Sequence, residues 1–381
     1  MIYLDNAATS WPKPEAVYRI ADQVFREESG NPGRSGHTLS LAAHRRIEET
    51  RLLLSKLFKI SNPNRIIFTL NTTDSLNFAL KGFLRSGDHV ITSSMEHNSM
   101  ARPLEMLKSK GIEYSKISIS PLYGADPNDI KAAIKKNTKL VAWNHVSNVS
   151  GTISPISEIG AVCHEFGIPF LVDAAQSAGT MLIDVQAMNI DFLAIPGHKG
   201  LLGPQGCGVL YIADGLAPEP LREGGTGSNS EDLIQPAELP YRYESGTMNT
   251  AGIAALGEGV RFLLDQGIEN IENYEAALAN RLLKGIEDIP CIKLYGPPAG
   301  PCRKGVVSLR FNKLDVTEAT MILDNSFGIA VRSGLHCAPD AHSTLGTINT
   351  GGTLRISIGC FNTEDHIDRC IEALTAITKE G

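Results

Sequence analysis

The stretch FLAIPGHKGLLGPQGCGVLYI, Phe192 to Ile212, decides the fold reading. Its two ends are unbroken apolar runs of strand length, separated by a glycine-rich turn. Such runs lack the alternation of a half-solvated sheet and read as strands buried on both faces. Between them stands one cation, Lys199, among glycines and apolar residues. Lysine is rarely buried unless it is paired or does chemistry.

Runs of the same kind recur upstream: RIIFTL (65–70), HVITSS (89–94), KLVAWNH (139–145), PFLVDAA (169–175) and DFLAIPG (191–197). Helical spacing separates them at Ser75–Leu84, Arg102–Lys110 and Ile156–Phe166. Strands alternating with helices predict βαβ units and an α/β fold built on a mostly parallel sheet. Residues 213–250, rich in Gly, Pro, Ser and Glu, read as a long functional loop. Helices are expected at about 249–264 and 271–286. KGVVSLRF, GIAVRSG and GTLRISI then read as strands, with helices at Val316–Asn325 and Thr363–Thr378, the last capped by Asn362 or Thr363. The expected division is a large domain over 15–260 and a smaller C-terminal α+β domain over 261–381. Residues 1–14 are expected to pack against the small domain or the interface. No internal repeat is visible.

The 381 residues are 42% hydrophobic and carry a formal net charge of −7. That balance argues against nucleic acid or an anionic membrane as the main partner. No apolar run reaches the length of a transmembrane helix. The start, MIYLDNAATSWPKPEAV, lacks the basic and apolar pattern of a secretory signal. Seven cysteines form no CxxC and no zinc spacing. No metal site is expected, and a reducing cytoplasmic location is.

Ligands of open α/β sheets bind beyond the carboxyl ends of the strands. The residues that follow the strands are Thr72 and Thr73, His97, Asn148, Asp173 and Gln176, and His198 and Lys199. Each has a plain alternative. Thr72 or Thr73 alone is better read as a helix cap than as an anion ligand. His97 alone is better read as a surface or core histidine. Asp173 could cap the next turn, yet a carboxylate after four apolar strand residues needs a partner, and a pyridinium would serve. Lys199 could hold its head in water. A P-loop is excluded, because GxxxxGK[ST] is absent. Desolvation makes a lysine amine nucleophilic and fit for a Schiff base. Lysine, acid and phosphate-binding helix start together describe a pyridoxal phosphate site.

The chain resembles the class V aminotransferases, fold-type I pyridoxal phosphate enzymes, and among them the cysteine desulfurase and selenocysteine lyase group of Suf type. The motifs run nearly end to end: YLDNAAT (3–9), GRSGHTLS (33–40), NTTDSLN (71–77), MEHNS (95–99), VSNVSGT (146–152), VDAAQS (172–177), GHKGLLGPQGCGVLY (197–211), YESGTMNT (243–250), RSGLHCA (332–338) and TLRISIGCFNTEDHID (353–368). The resemblance implies that Lys199 carries the cofactor and moves protons. His97 would stack on its ring, Asp173 pair with its pyridine nitrogen and Gln176 bond its phenolic oxygen. Thr72, Thr73 and His198 would hold its phosphate. Thr247 would reach the phosphate from a second subunit, implying a homodimer. Asn148 and Arg355 would bind substrate, with Arg355 on the carboxylate, and His37 would lie near the site. Cys337, in a loop expected to be mobile, would accept sulfur as a persulfide, with Arg332 and His336 as cations favouring its thiolate.

The implied reaction converts L-cysteine to L-alanine and passes sulfur to an acceptor protein, iron–sulfur cluster assembly being one outlet of that group. The alternatives are L-selenocysteine lyase activity, another class V reaction, or a non-catalytic sulfur-relay partner. The chain departs from the pattern at Pro196, where many relatives have a serine hydroxyl, and at Leu335. The segment Pro339–Gly352 matches nothing residue by residue.

Overall fold

The computed structural model describes residues 1–33, 36–227 and 231–380, so Arg34 and Ser35 of GRSGHTLS lie outside the described residues. The chain opens with a short strand, β1 (Ile2–Tyr3), then helices α1 (Glu15–Glu27) and α2 (Thr38–Phe58). Next come β2 (Ile66–Thr69), α3 (Thr72–Phe83), β3 (His89–Ser93), α4 (Asn98–Lys108), β4 (Glu113–Ile117), α5 (Pro127–Ala133) and β5 (Thr138–Asn144). They are followed by α6 (Ile156–Glu165), β6 (Phe170–Asp173), β7 (Phe192–Pro196) and β8 (Gly208–Ile212).

These strands form one seven-stranded sheet in the order β2-β8-β7-β6-β5-β3-β4. Every pairing from β7 to β4 is parallel, while β8 runs antiparallel to both of its neighbours. Burial on both faces explains the unbroken apolar runs. Along β5, Val141 and Trp143 enter one hydrophobic cluster, and Leu140 and Ala142 enter the other. Successive strand side chains point to opposite faces, and helices cover both.

Among the described residues, 213–249 contain no helix or strand, as the composition predicts. Helices α7 (Thr250–Gln266) and α8 (Ile268–Glu287) follow. The remainder comprises β9 (Ile292–Tyr295), β10 (Val306–Phe311), α9 (Val316–Phe327), β11 (Ile329–Ala330), β12 (Arg332–Gly334), α10 (Pro339–Thr344), β13 (Thr353–Ser357) and α11 (Glu364–Glu380). Here an antiparallel sheet, β12-β13-β10-β9, carries its own core. β1 pairs in parallel with β11, and Ile2 and Leu4 join that second core. The two cores part within α8: Ile268 and Ile271 belong to the first, Leu278 and Leu282 to the second.

Two local readings change. Helix α3 begins earlier than the periodicity suggests, and its cap is Asn71, whose side chain accepts from Asp74 N at 3.0 Å. Thr72 and Thr73 are therefore not caps. Thr363 caps α11, accepting from His366 N at 3.3 Å, while Asn362 Oδ1 accepts from Gly359 N.

Candidate active site

The carboxyl ends of β2, β3, β5, β6 and β7 open into a cleft of about 290 Å³. Thr72, Thr73, His97, Asn148, Asp173, Gln176, His198, Lys199, Arg332 and Arg355 all line it. Lys199 reaches its floor from the turn after β7. The flanking glycine is required there: a Cβ on Gly200 would stand 2.3 Å from the Ala178 carbonyl oxygen. The lysine is half-buried, and among the described residues its amine makes no hydrogen bond or ion pair. Burial pushes the amine down to about 8, with Asp173 opposing and Arg355 and Arg332 reinforcing. A group so tuned gives up its proton readily.

Asp173 closes β6 and is buried. Its Oδ1 accepts from Ala175 N at 2.9 Å. Burial pushes its carboxyl up, while that bond and Lys199 pull it down. His97 caps α4, Nδ1 accepting from Ser99 N at 3.1 Å, which fixes its ring at the cleft wall. Burial, then the charge of Lys199, pushes it down to about 4, so the ring is neutral near pH 7. His198 is likewise pushed down to about 4, first by burial, and its Nδ1 lies 3.1 Å from Thr9 Oγ1.

Opposite stands a hydroxyl group cluster. Thr73 Oγ1 and Ser99 Oγ are 2.7 Å apart, and Thr72 Oγ1 is buried with no partner among the described residues. Gln176 Nε2 donates to Ala7 O at 3.0 Å.

The third wall comes from the C-terminal sheet. Arg355 on β13 is buried, donates from Nη1 to Asn148 O at 3.1 Å and pairs through Nη2 with Asp5 Oδ1 at 2.6 Å. Its Nε has no partner among the described residues. Arg332 sits beside Arg355 in register across β12 and β13. Its Nη2 lies 3.8 Å from Cys337 Sγ, which is exposed at the cleft mouth.

The family profile of aminotransferase class-V matches residues 2–370. The chain belongs to the class-V aminotransferase family. A probable cysteine desulfurase of Methanothermobacter thermautotrophicus is 36% identical, with 100% of this chain and 95% of that protein covered. A cysteine desulfurase of Escherichia coli O157:H7 is 34% identical, with 99% and 93% covered. The solved apo cysteine desulfurase of Thermococcus onnurineus NA1 superposes with a TM-score of 0.93 at 34% identity, covering 100% of this chain and 95% of that one.

On this class-V framework, three sequence candidates stand outside the cleft lining. Cys337 is at the mouth. Thr247 is exposed, a few residues after Glu244, which Arg51 of α2 grips at 2.9 Å. His37 is exposed and caps α2, accepting from Ser40 N at 3.3 Å; within one chain it does not reach the cleft. One expectation is corrected. His336 is buried, and its ring is pushed down to about 2, first by burial and then by Arg355. A neutral imidazole supplies no cation to Cys337; the guanidinium within reach of its sulfur is that of Arg332. The Cys337 turn is also tied in place: Asn98 N donates to its carbonyl at 2.8 Å, and Asn148 Nδ2 to that of His336 at 2.7 Å.

Sequence reasoning missed two carboxylates of this class-V chain. Asp5 lies in YLDNAAT, and only the fold brings it to Arg355. Glu96 lies in MEHNS, next to His97, and is buried behind the site. A charged residue directly after the apolar HVITSSM was the available signal. No group of His, Cys, Asp or Glu among the described residues could hold a metal ion.

Proposed function

We propose that this chain is a pyridoxal phosphate-dependent cysteine desulfurase, releasing L-alanine and leaving a persulfide on Cys337. One juxtaposition carries the reading. An unpaired, proton-releasing Lys199 shares a cleft with buried Asp173, and a thiol stands beside Arg332 at the mouth. The residues fit the cofactor. Thr72 Oγ1 is a buried hydroxyl lacking a partner at the start of α3, where backbone N–H groups favour an anion. Thr73 and His198 complete that end, so the cup retains donors although Pro196 contributes none.

When bound, pyridoxal phosphate supplies an aldehyde for amines and an electron-poor ring that takes up the charge left at Cα. The chain's part follows from its geometry. Lys199 Nζ would hold the cofactor through its aldehyde carbon and, when free, would take the proton from the substrate Cα. Asp173 would hold the pyridine nitrogen in its protonated form, because a buried carboxylate gains most from a cation opposite. His97, neutral and clamped by Ser99, would offer a flat face to the ring. Gln176 would donate at the phenolic edge. Arg355, held by Asp5, takes the substrate carboxylate, with Asn148 beside it. Cys337 attacks the substrate sulfur. An S–S bond forms as the Cβ–S bond breaks, and the carbon skeleton takes up protons to become alanine. Arg332 offsets the negative charge the attacking sulfur must carry.

The assembly we propose is a homodimer, in which Thr247 serves the neighbouring subunit's phosphate site. Its exposure, and Leu41 and Leu52 standing 51% and 55% exposed on one side of α2, support a covered face here. The acceptor would be a protein docking over Cys337, in a reducing, cytoplasmic setting.

The test is alanine release by cofactor-loaded protein from L-cysteine and, separately, L-selenocysteine, beside Cys337→Ala. Alanine from both, with cysteine turnover lost in the variant, supports the desulfurase. Alanine from selenocysteine alone moves the assignment to a lyase. A yellow protein that makes none from either loses the proposed substrate.

A further inference from the structure

Residues 335–352 leave the C-terminal sheet at Gly334 and return at Thr353, which pair in register across β12 and β13. The ends of this loop meet at the sheet, and its own side chains, with helix α10, pack its interior. Two imidazoles fill it. His336 and His342 are both buried, with ring centroids 5.5 Å apart and planes at 41°. His336 Nε2 lies 3.1 Å from the Thr353 carbonyl and 3.2 Å from its hydroxyl, at the loop's neck. His342 Nδ1 lies 2.7 Å from Thr347 Oγ1, and Thr347 N donates to His342 O at 2.8 Å. Among the described residues, the remaining nitrogens, His336 Nδ1 and His342 Nε2, are buried with no hydrogen-bond partner.

The same loop carries two consecutive non-glycine residues with left-handed backbones, His336 at φ 48° and Cys337 at φ 58°. That conformation is costly for a residue with a Cβ and persists only where the surroundings over-determine it. From outside, Asn148 and Asn98 hold the two carbonyls. From inside, the His336 ring is wedged between Thr353 and His342. His342 itself lines no part of the cleft.

We propose that His342 is a positioning residue: its buried ring, anchored on Thr347 and packed on His336, holds the Cys337 turn in the left-handed conformation that keeps the thiol beside Arg332. This deepens the reading of Cys337 as the sulfur-accepting thiol and rests on it. A histidine serving only as filler would be replaced well by leucine, which removes two buried polar nitrogens, one of them unsatisfied. A positioning histidine would not be, because leucine cannot bond Thr347.

The experiment uses cofactor-loaded protein carrying His342→Leu or Thr347→Val. Iodoacetamide labelling of Cys337 is followed by peptide mass spectrometry, with exposed Cys302 as internal reference. In both variants Cys337 labelling relative to Cys302 should slow about twofold or more as the Arg332 guanidinium, 3.8 Å from Sγ, is lost as a neighbour. The kcat for alanine release should fall about tenfold or more, since small misplacements of reacting atoms are expensive. KM for L-cysteine should stay within about twofold, because Arg355 keeps its hold on Asp5 and on the Asn148 carbonyl and bonds neither His342 nor Thr347. Unchanged or faster Cys337 labelling overturns the proposal, as does a kcat loss matched by an equal rise in KM. If His342→Leu fails to fold, Thr347→Val decides alone. Labelling requires no turnover. Slowed labelling in a protein inactive on cysteine therefore keeps the positioning inference and sinks only the desulfurase reading.

Discussion

Glu96 provides the sharpest stability test, because its carboxyl is fully enclosed and only partly satisfied. Oε1 accepts from Ser93 Oγ at 2.5 Å and from Asn144 N at 3.1 Å, while Oε2 has no partner among the described residues. Asn144 pairs in register with Asp173, so a second acid sits close by. Burial, with Asp173 adding to it, pushes the Glu96 carboxyl from 4.5 up to about 8. The folded protein therefore keeps a proton that the unfolded chain releases above pH 4.5. Where the folded state binds more protons, stability falls as pH rises. The loss begins near pH 4.5, grows through the window and levels off above about pH 8. At about 1.4 kcal/mol per unit, it is on the order of 3 kcal/mol at pH 7 and 5 kcal/mol above pH 8.

Glu96→Gln removes the titration and keeps both acceptor bonds through its amide oxygen. Its NH2 takes the place of an equally unpartnered O–H, so the variant and the wild type should match near pH 5. The unfolding entropy of a chain this long is about 0.8 kcal/mol/K, so the variant should melt about 4 °C higher at pH 7 and 6 °C higher at pH 8.5. Thermal melts of cofactor-free protein at pH 5, 7 and 8.5 measure this. Parallel curves for the two proteins, or a gap that shrinks with pH, would refute the reasoning.

Two further outcomes follow from ion pairs that join distant parts of the chain. Asp5→Asn weakens the hold on Arg355, and a hydrogen bond to a charged group is worth about 1.5–3 kcal/mol, so KM for L-cysteine should rise about tenfold or more with kcat little changed. A fall in KM in steady-state assays would instead make Asp5 a competitor of the substrate carboxylate. Glu275→Gln strips the anion from Lys304, whose Nζ lies 3.3 Å from Glu275 Oε2 with both side chains at least nine-tenths buried. Leaving that ammonium unpaired should cost about 3–5 kcal/mol, read as a lower melting midpoint, and an unchanged midpoint counts against it.

What the sequence made legible follows the physics of each element. Every strand of the large sheet except β4 announces itself, because burial on two faces demands an uninterrupted apolar run. β4, EYSKI, lies at the sheet edge with two residues exposed, and no pattern marks it. Helix α2 escaped for a different reason. α2 buries Ala43, Ile47, Leu54 and Phe58, yet also carries Leu39, Leu41 and Leu52 on exposed positions. Apolar residues on both sides blur the periodicity that marks a one-sided helix. In α4, Pro103 reads as a first-turn residue and hides the preceding turn, although the helix begins at Asn98.

The site divides along the same line. Residues that follow strands could be gathered into one cleft, because parallel topology alone places strand ends together. Charge states could not be read so directly, and His336 is the instructive case. Beside a thiol in the sequence it is an obvious cation; in the fold it is a buried, neutral wedge between Thr353 and His342. The pairing of Asp5 with Arg355 was equally hidden, since it depends on β1 joining β11 and on the bridge from Asp5 to Ser357. That pairing has a mechanical consequence. Asp5 belongs to the segment that runs from the C-terminal core to the cleft floor, where Ser10 N donates to His198 O at 3.1 Å. The residues proposed to bind the substrate carboxylate and the cofactor are therefore joined through one short stretch of backbone, and a shift of the small domain would move Arg355 and Asp5 together.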